Sequence, residues 1–150
     1  MSSPENQQAE RQSWIGLLAR SNPARLAALI PGPLPEHADL RAPEIGAVMV
    51  RGRVSTNGAP FNLGEMTVTR CSLRLACGAV GHAYVQGRDR DHARRAAILD
   101  ALMQTEAAAE LRHTVLDPLA AEEAARRGAR AAKAAATKVE FFTLVRGEDA

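Results

Sequence analysis

Two stretches of alternating hydrophobicity, joined by a glycine turn, restrict this chain to a small set of folds. From Glu65 to Ala76, Thr67, Thr69, Cys71, Leu73 and Leu75 fall on one face and Met66, Val68, Arg70, Ser72 and Arg74 on the other, the pattern of a strand with one face on a core. Gly78 then turns the chain into Ala79 to Gln86, where Ala83 and Val85 share one face and His82, Tyr84 and Gln86 the other. So short a connection cannot make the crossover that parallel neighbours need, so the two strands run antiparallel. Upstream, Val48, Val50 and Val54 alternate with small or charged residues, and Asn57-Gly58 predicts a hairpin turn because both residues tolerate positive φ. Ile45 to Gln86 therefore reads as short strands in an antiparallel meander.

Helices flank this region. Gln8 to Ile30 carries Trp14, Leu17 and Leu18, then Leu26, Leu29 and Ile30, at helical spacing on either side of a break at Ser21-Asn22-Pro23. Asn22 is suited to cap the second piece and Pro23 to its first helical position. Pro31, Gly32, Pro33 and Pro35 stop it and predict an extended connector. Asp89 or Asp91 is expected to cap a middle helix running to about Ala109, with Ile98, Leu99, Leu102 and Met103 on its apolar side. Asp117-Pro118 repeats the cap-and-proline signal and opens a long alanine-rich helix to about Thr137. Val139 to Val145 reads as a last strand. The expected fold is a single α+β domain over residues 1–150, with four to five antiparallel strands and residues 1–7 and 147–150 as flexible tails.

At 150 residues the chain is long enough to bury roughly two-thirds of its unfolded surface. Yet aromatics make up only 3% of it, and Leu119 is the one large aliphatic residue of the alanine-rich helix. Such a chain has few bulky side chains with which to fill a deep core, and surfaces left thin are natural places for another chain to pack. A net charge of +2 calls for neither nucleic acid nor an acidic membrane. No apolar run approaches the roughly 18 residues of a membrane span, and the start of the chain is polar. A cytoplasmic protein with two reduced thiols, Cys71 and Cys77, is expected.

Chemistry-bearing motifs are sparse. Gln86 to His92 forms a glycine turn into a helix start, a place where free N–H groups, Arg88 and Arg90 could hold an anion. A solvated turn capped by Asp89 or Asp91 is the simpler reading. His37, His82, His92 and His113 include no pair at the helical zinc spacing, and no metal ligand set is assigned. Cys71 with His82 on a neighbouring strand would make a nucleophile and base, against a small buried thiol beside Leu73 and Leu75. Arg126, Arg127, Arg130 and Lys133 follow Glu122 and Glu123 at the spacing that stabilises an isolated helix, and no aromatic interleaves them, so they read as a solvated face and not a nucleic-acid track. There is no P-loop, GxGxxG or GxSxG.

The string Phe61-Asn62-Leu63-Gly64-Glu65-Met66-Thr67-Val68-Thr69-Arg70-Cys71 resembles the central motif of the PhnG family. Gly81 to Asp89, Asp100 to Gln104, Asp117-Pro118-Leu119 and Thr137 to Glu148 agree with it, and weaker similarity reaches back through Val50-Arg51-Gly52-Arg53 and Pro43-Glu44-Ile45-Gly46 to Arg11 and Trp14. The resemblance implies an accessory subunit of the carbon-phosphorus lyase complex of phosphonate catabolism. There PhnI, with PhnG, PhnH and PhnL, displaces adenine from Mg-ATP by an alkylphosphonate to give α-D-ribose 1-alkylphosphonate 5-triphosphate. It also implies a hetero-oligomer with two copies each of PhnG, PhnH, PhnI and PhnJ, the iron-sulfur cluster and S-adenosylmethionine belonging to PhnJ and no cofactor to this chain.

The resemblance brings no catalytic residue to this sequence. Phe61, Phe142 and Leu144 are therefore assigned as apolar anchors for docking PhnI and PhnJ. Arg70, Arg88 and Arg90 are the candidates for contacting triphosphate or phosphonate oxygens directly, since a guanidinium fork matches such oxygens. A stand-alone hydrolase using Cys71 and His82 is the third possibility.

Overall fold

Three antiparallel strands in the order β1-β2-β3 make the sheet: β1 at His37–Arg53, β2 at Pro60–Leu75 and β3 at Val80–Gln86. The computed structural model describes residues 4–30 and 32–138. Helices α1 (Pro4–Arg20) and α2 (Pro23–Leu29) precede the sheet, and α3 (Arg90–Leu102), α4 (Ala108–Leu111) and α5 (Asp117–Ala135) follow it. The chain is α+β as expected, with three strands and not four to five among the described residues. The last strand expected at Val139 to Val145 lies outside them.

The alternation in β2 and β3 sets their register. Thr69 faces Val85, Cys71 faces Ala83 and Leu73 faces Gly81, and all six are buried. Thr67, expected on the same face, is exposed, at the point where β3 ends opposite Val68 and, on that edge, only the Gly87 N–H still reaches β2.

The strands before them differ more from expectation. β1 begins at His37, well before Ile45, and runs through Pro43. It lies at the sheet edge, where a residue without an N–H costs no ladder bond, and its register shifts between Asp39 and Arg41 and between Arg41 and Glu44 absorb the irregularity. In the hairpin loop the positive φ falls on Ser55 at 59°, not on Asn57 or Gly58. Gly58 is needed for another reason, since a Cβ there would stand 2.0 Å from the Val54 carbonyl oxygen.

Helix ends follow from side chains that satisfy free backbone groups. Asn22 accepts from the N–H groups of Ala24 and Arg25, and Asp89 from that of His92 at 2.8 Å, as its capping role requires. α3 stops at Leu102, short of Ala109, because Gln104 donates to the Asp100 carbonyl and the Thr105 hydroxyl to that of Leu102. Asp117 does not cap α5. It continues a helical path from the five-residue π turn Arg112–Leu116 and meets His113 Nδ1 at 3.1 Å. That widened turn lies just ahead of Pro118, whose missing N–H and ring forbid a regular α bond.

The core lies between the sheet and the helices. α3 sits directly on β3: a Cβ on Gly81 would come within 1.8 Å of the Ala97 carbonyl oxygen. A backbone contact this close lets a layer without aromatics be filled by Leu18, Leu26, Leu73, Val85, Ile98, Leu99 and Val115, all essentially inaccessible.

One carboxylate ties the layers together. Asp100, 0% exposed, accepts from Arg11 Nε and Nη2 at 3.1 and 2.7 Å, from Trp14 Nε1 at 2.9 Å and from the His82 backbone N–H at 2.9 Å. Arg11 and Gln104 also donate to the Val80 carbonyl. The outer edge of β3 is thereby closed by side chains of α1 and the end of α3. Removing one member of a buried charged pair leaves the others unpaired. Asp100→Ala is therefore expected to destabilise the fold by about 3–5 kcal/mol in urea unfolding, and a loss below about 1 kcal/mol would show that the knot is dispensable.

Candidate functional site

The outer face of the sheet carries the polar residues of β2 and β3. Arg70 stands opposite Glu44 and Tyr84, and Ser72 opposite His82. Ser72 Oγ and His82 Nδ1 are hydrogen-bonded at 2.9 Å, and Glu44 Oε2 accepts from Arg41 Nη1 at 2.8 Å and Arg70 Nε at 3.1 Å. Those hydrogen bonds, Arg41's first, hold the Glu44 carboxyl below the usual carboxylate range. An open groove of about 280 Å³ runs over this face between Ile15, Arg41, Arg70 and Tyr84.

The three arginines singled out from the sequence are placed differently from one another. Arg70 is committed to Glu44 in mid-sheet. Arg88 and Arg90 sit beyond the end of β3, exposed, and their guanidinium groups make no hydrogen bond or ion pair to any other described residue. Between them Asp89 occupies the helix start. Cys71 and His82, on neighbouring strands, point to opposite faces. The thiol is 1% exposed on the core side, and burial, with Asp39 adding to it, pushes its pKa up. His92 is equally spoken for, its Nε2 lying 2.9 Å from the Leu18 carbonyl.

Two parts of the molecule stand away from the core. Beyond Val68 the β1-β2 hairpin continues as a two-stranded arm without β3. Met49, Val54, Phe61 and Leu63 are exposed along it, and Leu63 and Phe61 lie over Gly52, within 3.7 Å of where its Cβ would be. Phe61 is thus a surface residue, whereas Phe142 and Leu144 fall outside the described residues. The second is α5, which buries only Leu119; residues 124–138 are all exposed.

At its root α5 is fastened to the N-terminal helices. Glu123 accepts from Arg20 Nε at 2.8 Å as well as from Arg127, and Glu122 accepts from Arg25 of α2. The hydrogen bond from Arg20 holds the Glu123 carboxyl below its usual range. Of the expected pairs along the helix, Glu123 with Arg127 forms, while Glu122 turns to Arg25 and leaves Arg126 without an ion-pair partner among the described residues. A groove of about 670 Å³ opens here, lined by Arg20, Arg126, Arg127 and Arg130 and floored by Met66, Val68 and Tyr84. No sequence pattern pointed to it, because Arg20 and α5 are about a hundred residues apart.

Among the described residues no group of three or more His, Cys, Asp or Glu is arranged to hold a metal ion, and no helix is long and apolar enough to cross a membrane. Because only a thiolate attacks readily, Cys77, which is exposed, is expected to react with a thiol reagent within minutes, and Cys71 only on unfolding. Rapid reaction of both thiols in the folded chain would restore Cys71 as a nucleophile candidate.

Comparison with known proteins bears on what these surfaces serve. The family described as phosphonate metabolism protein PhnG matches residues 9–147. A relative from Rhizobium meliloti (strain 1021), the alpha-D-ribose 1-methylphosphonate 5-triphosphate synthase subunit PhnG, is 44% identical over 143 residues, covering 94% of this chain and 92% of the relative. The match takes in the arm, the sheet, the Asp100 knot and the whole of α5, and the chain belongs to the PhnG family of phosphonate metabolism proteins.

Proposed function

We propose that this chain is an accessory subunit of the carbon-phosphorus lyase machinery. It supports displacement of adenine from Mg-ATP by an alkylphosphonate on a PhnI-type partner and supplies docking surfaces in place of catalytic groups. What supports this reading is the arm. An isolated two-stranded hairpin is marginal in water, and this one exposes Met49, Val54, Phe61 and Leu63 together. Side chains of this kind at the centre of an interface carry much of its energy. Exposed α5, studded with alanine, offers a second surface on which another helix can approach closely. The name of the R. meliloti relative, a synthase subunit, agrees with this role. The partners in this reading are PhnI, PhnJ and PhnH, two copies of each with two of this chain, and the iron-sulfur cluster and S-adenosylmethionine are held by PhnJ.

Co-expression with the neighbouring PhnI and PhnJ subunits tests it. The wild-type chain is expected to co-purify with them in a complex of defined mass. Phe61→Asp combined with Leu63→Asp is expected to weaken capture by about a hundredfold while leaving the melting temperature of the isolated chain unchanged. Retention of the complex by this double variant would remove the arm from the interface.

A second reading is favoured by Arg88 and Arg90, two exposed guanidiniums at a strand-to-helix turn with no ion-pair partner among the described residues. In it they and Arg70 reach triphosphate or phosphonate oxygens in a site shared with the partner. Alanine at each of the three, in the assembled complex, is expected to slow adenine release by about tenfold or more if the contact is direct. Unchanged rates in an intact complex would leave docking as the whole role.

A further inference from the structure

The groove at the root of α5 brings four arginines together. Arg126, Arg127 and Arg130 come from α5 and Arg20 from the end of α1. They face a single carboxylate, Glu123, which takes up Arg20 and Arg127 and so holds both guanidiniums in place. Arg126 and Arg130 make no ion pair with any described residue. The opposite wall is of another character, with Met66, Val68 and the half-exposed ring of Tyr84, and Gln86 beside them.

We propose that this groove binds a small polyphosphate ester, with the arginines on the phosphate chain and the Tyr84 wall on the organic group. Several observations converge on that ligand class. A volume of about 670 Å³ is that of a small-molecule pocket. Guanidinium forks from two helices meeting at one place suit several anionic oxygens packed within a few ångströms, which a phosphate chain supplies. The carboxylates of an acidic peptide are single charges spread along a backbone. A nucleic-acid strand would need aromatic platforms repeated along its path, and here Tyr84 stands alone. The anchored pair Arg20 and Arg127 lowers the ordering cost of binding, and Arg126 and Arg130 add guanidiniums that no ion pair to a described residue occupies. This groove shares the Tyr84 ring with the one beside Arg70 but is not lined by Arg70, Arg88 or Arg90, and it does not depend on the docking role of the arm.

Calorimetric titration of the isolated full chain, with ATP and with inorganic triphosphate as probes, tests the proposal. ATP is expected to bind saturably at one site and at least about threefold more tightly than triphosphate, a difference that Tyr84→Ala abolishes. Combining Arg126→Ala with Arg130→Ala is expected to weaken both probes by about tenfold or more. Both arginines are fully on the surface, so the melting temperature should not change, and thermal melts check this. Arg112→Ala, which removes a single arginine charge away from the groove, is expected to leave affinity within about twofold. The proposal is overturned by the absence of saturable binding, by an equal loss in Arg112→Ala, or by a double variant that binds as wild type. Equal affinity for the two probes overturns the assignment to an ester.

Discussion

The Asp100 carboxylate holds together parts of this protein that nothing else joins as firmly. A carboxylate taken wholly out of water is tolerated only when its oxygens are filled with donors, and here the donors come from α1, through Arg11 and Trp14, and from the edge of β3, through the His82 N–H. The same contacts close an edge that would otherwise offer unpaired backbone groups to other strands. They also hold α1 against the edge of the sheet, and the end of α1 carries Arg20, which pairs with Glu123 at the root of α5. Of the segments that resemble the PhnG family, Gly81 to Asp89 and Asp100 to Gln104, with Arg11 and Trp14 from the weaker part, converge on this carboxylate.

The second constraint is the scarcity of large side chains. With few aromatics, the core is closed by bringing backbone onto backbone at Gly81 and Ala97, and its apolar residues come from β2, β3 and the helices packed on them. The long strands and the last helix extend past what such a core can cover. A two-stranded arm and an alanine-rich helix with one buried residue are the consequence, and both are surfaces that association would bury. The apolar side chains of the arm are thereby left on the surface of this member of the PhnG family.

Much of the local structure was legible in the residues. The faces of Thr69 to Leu75 and Ala83 to Val85, the caps at Asn22 and Asp89 and the inward position of Cys71 follow from side-chain period and from hydrogen-bonding chemistry that acts within a few residues. The misreadings came from features decided farther away. β1 runs through Pro43 because it is an edge, α3 ends early because Gln104 and Thr105 find carbonyls, and Asp117 is drawn into a helical path instead of capping one. The pairing of Cys71 with His82 looked feasible by strand adjacency, and the pleat then sent the two side chains to opposite faces.

What the sequence determined by itself was the class of fold, the antiparallel pairing of β2 with β3, the family and the lack of any local catalytic motif, since each is written in period, spacing or consecutive residues. What only the tertiary structure decided was which distant charges meet. Arg11 finds Asp100, Arg20 finds Glu123, and Arg126 and Arg130 are left facing a groove, because electrostatic partners are chosen by distance in space, and the separations along the chain hold no periodicity from which that distance could be read.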